Sequence, residues 1–370
     1  MNQAKNQAER GSDVDRFSLR ALFALAPLNG DHFVGLRAGI GVMLPLLFLI
    51  AIDRLDLAPY VVFGSFVGVY SRAPMHLDRL LVQIKAAGLM WIVVLLAWLS
   101  GDRLIHGAQD ANGQWWLVAC TSVVSALAAL AVGLLRVRPA GSLFHVFAFA
   151  VVASIQDAPR LGDAMFAATA TMVFSLIVGQ LGRILPKYRT PWQVTVSTPM
   201  PAHVKRAVFQ ELPAYFVAPA LAGSLATLLA GPLGMGHVYW AMVAAVVPLV
   251  GQSTMHRVIR GVHRVIGTVA GLVVMALIVA LQPQPWLAIV LIGLTQFLAE
   301  YFVVRNYFWA MVFITPLALV GSTLGHVLTW HVLYDRAIET GIGVVIGMAV
   351  VEGMAWCGRR ILAYREGNAA

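Results

Sequence analysis

Arg257, Arg260 and Arg264 stand three and four residues apart in the run Met255-His-Arg-Val-Ile-Arg-Gly-Val-His-Arg264. On a helix that spacing puts the three guanidiniums on one face. Such a stripe would either draw an anion or mark the membrane side on which positive charge collects. Gly267 and Gly271 follow at the small-xxx-small spacing that lets a second helix backbone come close. The apolar run continues to Leu281, long enough to enter a bilayer. A cationic helix end feeding a tightly packed membrane helix is the unit expected here.

Few other ionisable side chains fall inside apolar stretches, and each is costly there. Arg37 lies just inside the first stretch, where it either snorkels to the surface or faces an anion pathway. Glu300 stands near the end of another, five residues before Arg305. It is either half of a structural pair with Arg305 or a proton-coupling carboxylate. His145 sits well inside a span, as a core histidine or as a group that titrates near neutral pH. Glu339 is expected at an outer interface. His331 and Asp335 have ligand-like spacing but no third ligand, so no metal site is expected. Nor is there a Walker sequence, a nucleophile elbow or a paired set of hydrolytic carboxylates. No cofactor and no enzymatic activity are expected.

Composition decides what holds these residues. Of 370 residues, 59% are hydrophobic and only 12% charged, against about a quarter charged in soluble domains. A water-soluble core would not hide that much apolar surface, so an all-α polytopic membrane protein is expected. Cys120 and Cys357 are the only cysteines and frame no disulfide or thiolate site. The net charge of +9 sits beside apolar runs, which points to a membrane face and not to nucleic acid.

In order, the apolar segments are 33–51, 57–70, 80–99, 115–135, 140–155 and 161–185, then 213–230, 238–251, 262–281, 285–303, 306–320 and 337–357. A cytoplasmic tail over 1–31 precedes them, with an amphipathic helix over 15–28 at the membrane surface. A hydrophilic linker over 186–212 divides the membrane repeats 32–185 and 213–357, and a tail over 358–370 closes the chain. Twelve transmembrane helices in two parallel six-helix repeats are expected. Tyr60 corresponds to Tyr239, Met75-His76 to Met255-His256, and Lys85-Ala-Ala-Gly88 to Arg264-Val-Ile-Gly267. With both termini cytoplasmic, only Arg54, Arg103, Arg160 and Arg336 fall outside and Arg37 within a span. Every other Lys and Arg lies inside, as the positive-inside tendency requires. The second, fifth, eighth and eleventh segments fall below the ~17 residues that cross hydrocarbon. Short segments at matching places either point to a transporter's binding site or are ordinary helices extended by polar ends.

Two runs resemble the fusaric acid resistance (aromatic acid exporter) family. Arg264-Val-Ile-Gly-Thr-Val-Ala-Gly271 is similar to its Arg-x-x-Gly-Thr-x-x-Gly signature. The run from Asn306-Tyr307 through Thr315-Pro316 to Leu319 is similar to its Asn-Tyr-x-x-Ala-x-x-Phe-x-Thr-Pro-x-x-Leu pattern. The resemblance implies a bacterial inner-membrane exporter of aromatic or other small organic acids, driven by the proton gradient. Plant malate channels have a similar membrane domain, which keeps a passive anion channel open beside it; a membrane scaffold is the third class. Partners expected are the organic anion, protons and the lipid bilayer, with a homo-oligomer left open. Arg37, Lys85, Arg257, Arg260 and Arg264 would draw a carboxylate, while Tyr239, Trp240 and Tyr307 would flank its ring or serve as interfacial belt residues. Asn306 belongs to the family pattern. Thr315-Pro316 either unwinds its helix to free backbone groups or only kinks it. Glu300 and His145 are the candidates for proton coupling.

Overall fold

The computed structural model describes residues 23–28, 30–73, 75–106, 112–184, 186–195, 198–236, 238–251, 254–322, 324 and 330–367. Among them are twelve α-helices and no strand. These are α1 (Asp31–Ala51), α2 (Ala58–Ser65), α3 (His76–Ser100), α4 (Asn112–Leu134), α5 (Leu143–Ala153) and α6 (Leu161–Gln180). The second set is α7 (Ala202–Leu233), α8 (Tyr239–Ala245), α9 (Thr254–Leu281), α10 (Pro285–Phe302), α11 (Tyr307–Ser322) and α12 (His331–Gly367). Eight of the helices are long and apolar enough to cross a membrane: α1, α3, α4, α6, α7, α9, α10 and α12. The other four are the short segments noted in the sequence. At 1.5 Å per residue, the seven residues of α8 reach about a third of the ~30 Å hydrocarbon thickness. All seven of those residues are buried, as expected of a helix apolar on every side.

Several boundaries differ from the sequence expectation. α7 begins at Ala202, inside the stretch read as linker, and α12 runs through the expected tail to Gly367. Of the expected surface helix, 15–22 lie outside the described residues. Residues 24–28 carry no regular structure; instead Ala26 N–H donates to the Arg305 carbonyl at 3.1 Å. α11 continues through Pro316 as a helix, so Thr315-Pro316 unwinds nothing. The Thr315 hydroxyl donates to the Met311 carbonyl at 2.9 Å, filling an acceptor within its own helix.

Helix packing follows small residues. On α1, a Cβ at Gly35 would stand 2.6 Å from the Phe297 carbonyl oxygen, and one at Gly39 2.7 Å from that of Gly293 on α10. Gly267 and Gly271 of α9 play the expected part: Cβ atoms there would stand 2.5 Å from Met311 Cβ and 2.7 Å from Thr315 Cβ on α11. Within the first six helices α2 packs on α6, α3 on α5 and α6, α4 on α5, and α1 on α2 and α6. Within the last six α8 packs on α12, α9 on α11 and α12, α10 on α11, and α7 on α8 and α12. Two large contacts join the sets, α1 with α10 and α4 with α7. Before α2, exposed Arg54 donates to Asp56 and to Asp163, each at 3.0 Å. Those two hydrogen bonds, that to Asp56 first, hold its guanidinium pKa above the ordinary value.

Replacing Gly39 with Ala forces α1 off α10 and is expected to cost about 1–3 kcal/mol. Gly88→Ala, where a new Cβ meets nothing within 4 Å, gains helix propensity of up to ~1 kcal/mol. Thermal unfolding in detergent should therefore move in opposite directions for the two variants.

Candidate functional site

The four short helices meet around a cleft of about 1270 Å³, counted with the open space at its mouth. α2 contributes Pro59, Val62 and Phe63; α5 contributes Leu143, Phe144, Phe147 and Val151; α8 contributes Trp240 and Val243; α11 contributes Tyr307, Ile314, Leu317 and Ala318. A short helix buries its ends where longer neighbours leave room. The lining is mostly aromatic and branched aliphatic. Into it project Arg260 and Arg264 from α9, Gln296 and Glu300 from α10, and Arg336 from α12.

Arg264 is 2% exposed. One of its terminal nitrogens, Nη1, lies 3.3 Å from the Met311 sulfur, a weak acceptor. Its Nε and Nη2 have no hydrogen-bond partner among the described residues. Arg336 is 1% exposed and its Cζ lies 3.9 Å from the centroid of the Trp240 ring, within cation–π range. Its Nε and Nη1 are likewise without a partner among the described residues. Arg260 stacks on Tyr307 at 4.3 Å. Two buried guanidiniums with unused N–H groups, set beside aromatic faces, form a seat for a carboxylate with an apolar body.

A second cavity of about 960 Å³ is lined by Ile105, His106, Gln114, Leu117, Ser154, Gln156, Val238 and Tyr239. Tyr239 and Trp240 therefore face different cavities although they are consecutive. Their rings lie 5.1 Å apart, and Trp240 is 4.9 Å from Phe147.

Not every residue expected at a site comes here. Arg260, Arg264, Trp240, Tyr307 and Glu300 line the cleft. Lys85 is exposed on α3, turned away from it. Arg257 pairs with Glu211 at 2.8 Å, and the Arg37 guanidinium donates to the Ser71 carbonyl at 3.4 Å. Asn306 donates to the Ala24 carbonyl and accepts from the Phe308 N–H, both at 2.9 Å. It is a structural tie. His145 is fully buried with both ring nitrogens unpartnered among the described residues, 6.3 Å from the Tyr70 ring and away from the cleft lining. Thr315 faces Gly271. Glu339 is fully buried on α12, one turn from Arg336.

The partner of Glu300 is Arg72, not Arg305. Arg72 Nη2 donates to Glu300 Oε2 and to the Glu300 carbonyl, both at 2.9 Å, while Nη1 donates to Asp31 Oδ1 at 2.9 Å. One guanidinium thus ties the start of α1, the end of α10 and the segment after α2. Arg305 instead donates to the Ala26 carbonyl. Arg336 and Arg72 escaped the sequence reading. Arg336 fell one residue before the expected segment, whereas the helix begins at His331, and a helix start there would have put it on the buried face. His331 Nδ1 and Asp335 Oδ1, the pair with ligand-like spacing, lie 3.3 Å apart. No cluster of three or more metal-ligating residues exists among the described residues.

Residues 221–350 match the family model described as fusaric acid resistance protein-like. The match holds α8 to α11 entire and, with them, Arg260, Arg264, Glu300, Arg336 and Glu339. An uncharacterized membrane protein of Bacillus subtilis (strain 168), YvaC, is 29% identical over 125 residues, which cover 33% of this chain and 20% of that protein. The chain thus spans about a fifth of that relative's length. No solved structure matches. The multi-pass membrane character read from composition stands on both the eight long apolar helices and this match.

Removing Arg72 leaves the Glu300 carboxylate, 8% exposed, without its cation. Arg72→Ala is expected to destabilise by about 3 kcal/mol or somewhat less, because Arg72 itself keeps solvent contact. Glu300→Gln in that background removes the stranded charge and should recover part of the loss in the same unfolding measurement.

Proposed function

We propose that this protein is a transporter that moves small organic anions, aromatic carboxylates foremost, out of the cell through the cleft among α2, α5, α8 and α11. The observation that carries this is the pair Arg264 and Arg336, buried beside Trp240 and Phe147 with N–H groups unused among the described residues. A structural arginine would spend those donors on carbonyls or carboxylates. Aromatic walls with one charged end suit a ring bearing a carboxylate. The family match agrees with transport.

The finer architecture belongs to the same proposal. The chain forms two parallel six-helix repeats and crosses the inner membrane, with both termini cytoplasmic. Each strong pairing among α1 to α6 has its counterpart among α7 to α12, and the two joining contacts exchange under the same correspondence, which supports a twofold axis along the membrane normal. The four short helices would then lie at membrane depth, covered by the long ones. The excess of Lys and Arg on the side of the N-terminus supports the orientation. Exposed apolar residues such as Phe48, Phe166 and Leu277 would face lipid.

Glu300 is our candidate for proton coupling. It borders the cleft and is held by Arg72, so protonation would release the clasp. A passive channel would need no such carboxylate.

Reconstituted vesicles given tracer benzoate with and without a proton gradient test the proposal. Gradient-dependent accumulation is expected, lost in Glu300→Gln. Arg264→Gln should lower flux by about tenfold or more, the scale of a charge-assisted hydrogen bond, while Lys85→Gln leaves it unchanged. Flux that only equilibrates would favour the channel; no flux of any organic acid would overturn transport.

A further inference from the structure

Two helices beside the cleft match turn for turn. On α9, Arg260 and Arg264 stand four residues apart, and on α11 so do Tyr307 and Met311. Arg260 lies on the Tyr307 ring, its Cζ 4.3 Å from the centroid, and Arg264 Nη1 meets the Met311 sulfur at 3.3 Å. The same helices touch again at Gly267 with Met311 and at Gly271 with Thr315, so they run side by side in one direction. Two rungs therefore cross this wall, one turn or about 6 Å apart along the axis.

The rungs offer different donors. On the deeper one, the unpartnered nitrogens of Arg264 are Nε and Nη2. These form one edge of the guanidinium, the edge that clasps a carboxylate with two parallel hydrogen bonds. On the other rung, Arg260 Nε is buried without a partner among the described residues, and so is the hydroxyl of Tyr307, a residue only 8% exposed. A buried phenol normally finds a partner. A guanidinium lying on a ring face keeps its N–H edges for something else. The carboxylate at this end of the cleft, Glu300, is taken by Arg72. Arg260 and Tyr307 both line the cleft.

We infer that Arg260 and Tyr307 form a second carboxylate seat, one turn nearer the start of α9 than the seat at Arg264, and that the two fill together. This rests on the cleft being the transport path. Two like charges about one helical turn apart repel strongly where water is sparse, so an anion arriving at Arg260 loosens the one at Arg264. Adjacent sites that weaken each other let a pathway bind its ion and still release it.

The test uses the purified full chain in detergent, equilibrated with tracer benzoate. Release is followed after dilution large enough to prevent rebinding, either into plain buffer or into excess unlabelled benzoate at equal ionic strength. A single seat releases tracer at one rate in both. With two seats the excess should speed release by about tenfold or more. Arg260→Gln should abolish the acceleration, with tracer still bound at the start and an unchanged gel-filtration profile. Tyr307→Phe keeps the ring beneath Arg260 and removes the hydroxyl. It should raise the benzoate concentration that gives half the acceleration by about tenfold. Equal rates in the unaltered chain would overturn the second seat and leave transport standing. Acceleration that survives Arg260→Gln would overturn the place given to that seat. No bound benzoate at all would overturn both seats and, with them, the reading of the cleft as the path.

Discussion

A helix too short to cross hydrocarbon leaves its end N–H and C=O groups at depth, where no water satisfies them. Four helices here are too short to cross hydrocarbon, and at the membrane depth we propose for them the long helices cover them. The eight long helices enclose them, and the close approaches at Gly35, Gly39, Gly267 and Gly271 hold that enclosure together. A cleft follows from the same geometry. Helices that stop part-way leave space beyond their ends, and the space is lined by whatever side chains those ends carry.

What fills the space is chemistry and not packing. Most of the lining is apolar, Val and Phe foremost, and would collapse to a core in a soluble protein. Arg264 and Arg336 stand in it with N–H groups that no described residue accepts. The Trp240 ring partly answers Arg336 through its face, an attraction that leaves the guanidinium edges unused. Arg72 is the contrasting case: it spends its donors on Asp31 and Glu300 and stays a structural clasp beside the cleft.

Much of this was legible in the sequence, for physical reasons. Membrane helices are written in long apolar runs, so the segments and their four short members were found, although α7, α9 and α12 extend well beyond their apolar runs into polar ends. Gly267 and Gly271 were found because small residues four apart leave a groove on a helix. Register was harder. Lys85 was matched to Arg264 because both are basic and precede a glycine, yet the buried stripe of α3 passes through Gln83 and leaves Lys85 outside. Charge likeness is a poor guide to which side of a helix faces inward. Partners distant in sequence were not legible at all. Glu300 pairs with Arg72 across the two sets of helices, and nothing local in either stretch announces it.

The placement of Tyr239 and Trp240 on opposite sides of one partition has a mechanical consequence. The two residues belong to one helix of two turns, each lining a different chamber. The carbonyls of Ala241 and Ala245 press against Gly343 and Gly347 so closely that no side chain fits between. The partition is thereby riveted to α12, the helix that carries Arg336. With no room between them, a displacement of α8 would carry α12, and with it Arg336, along.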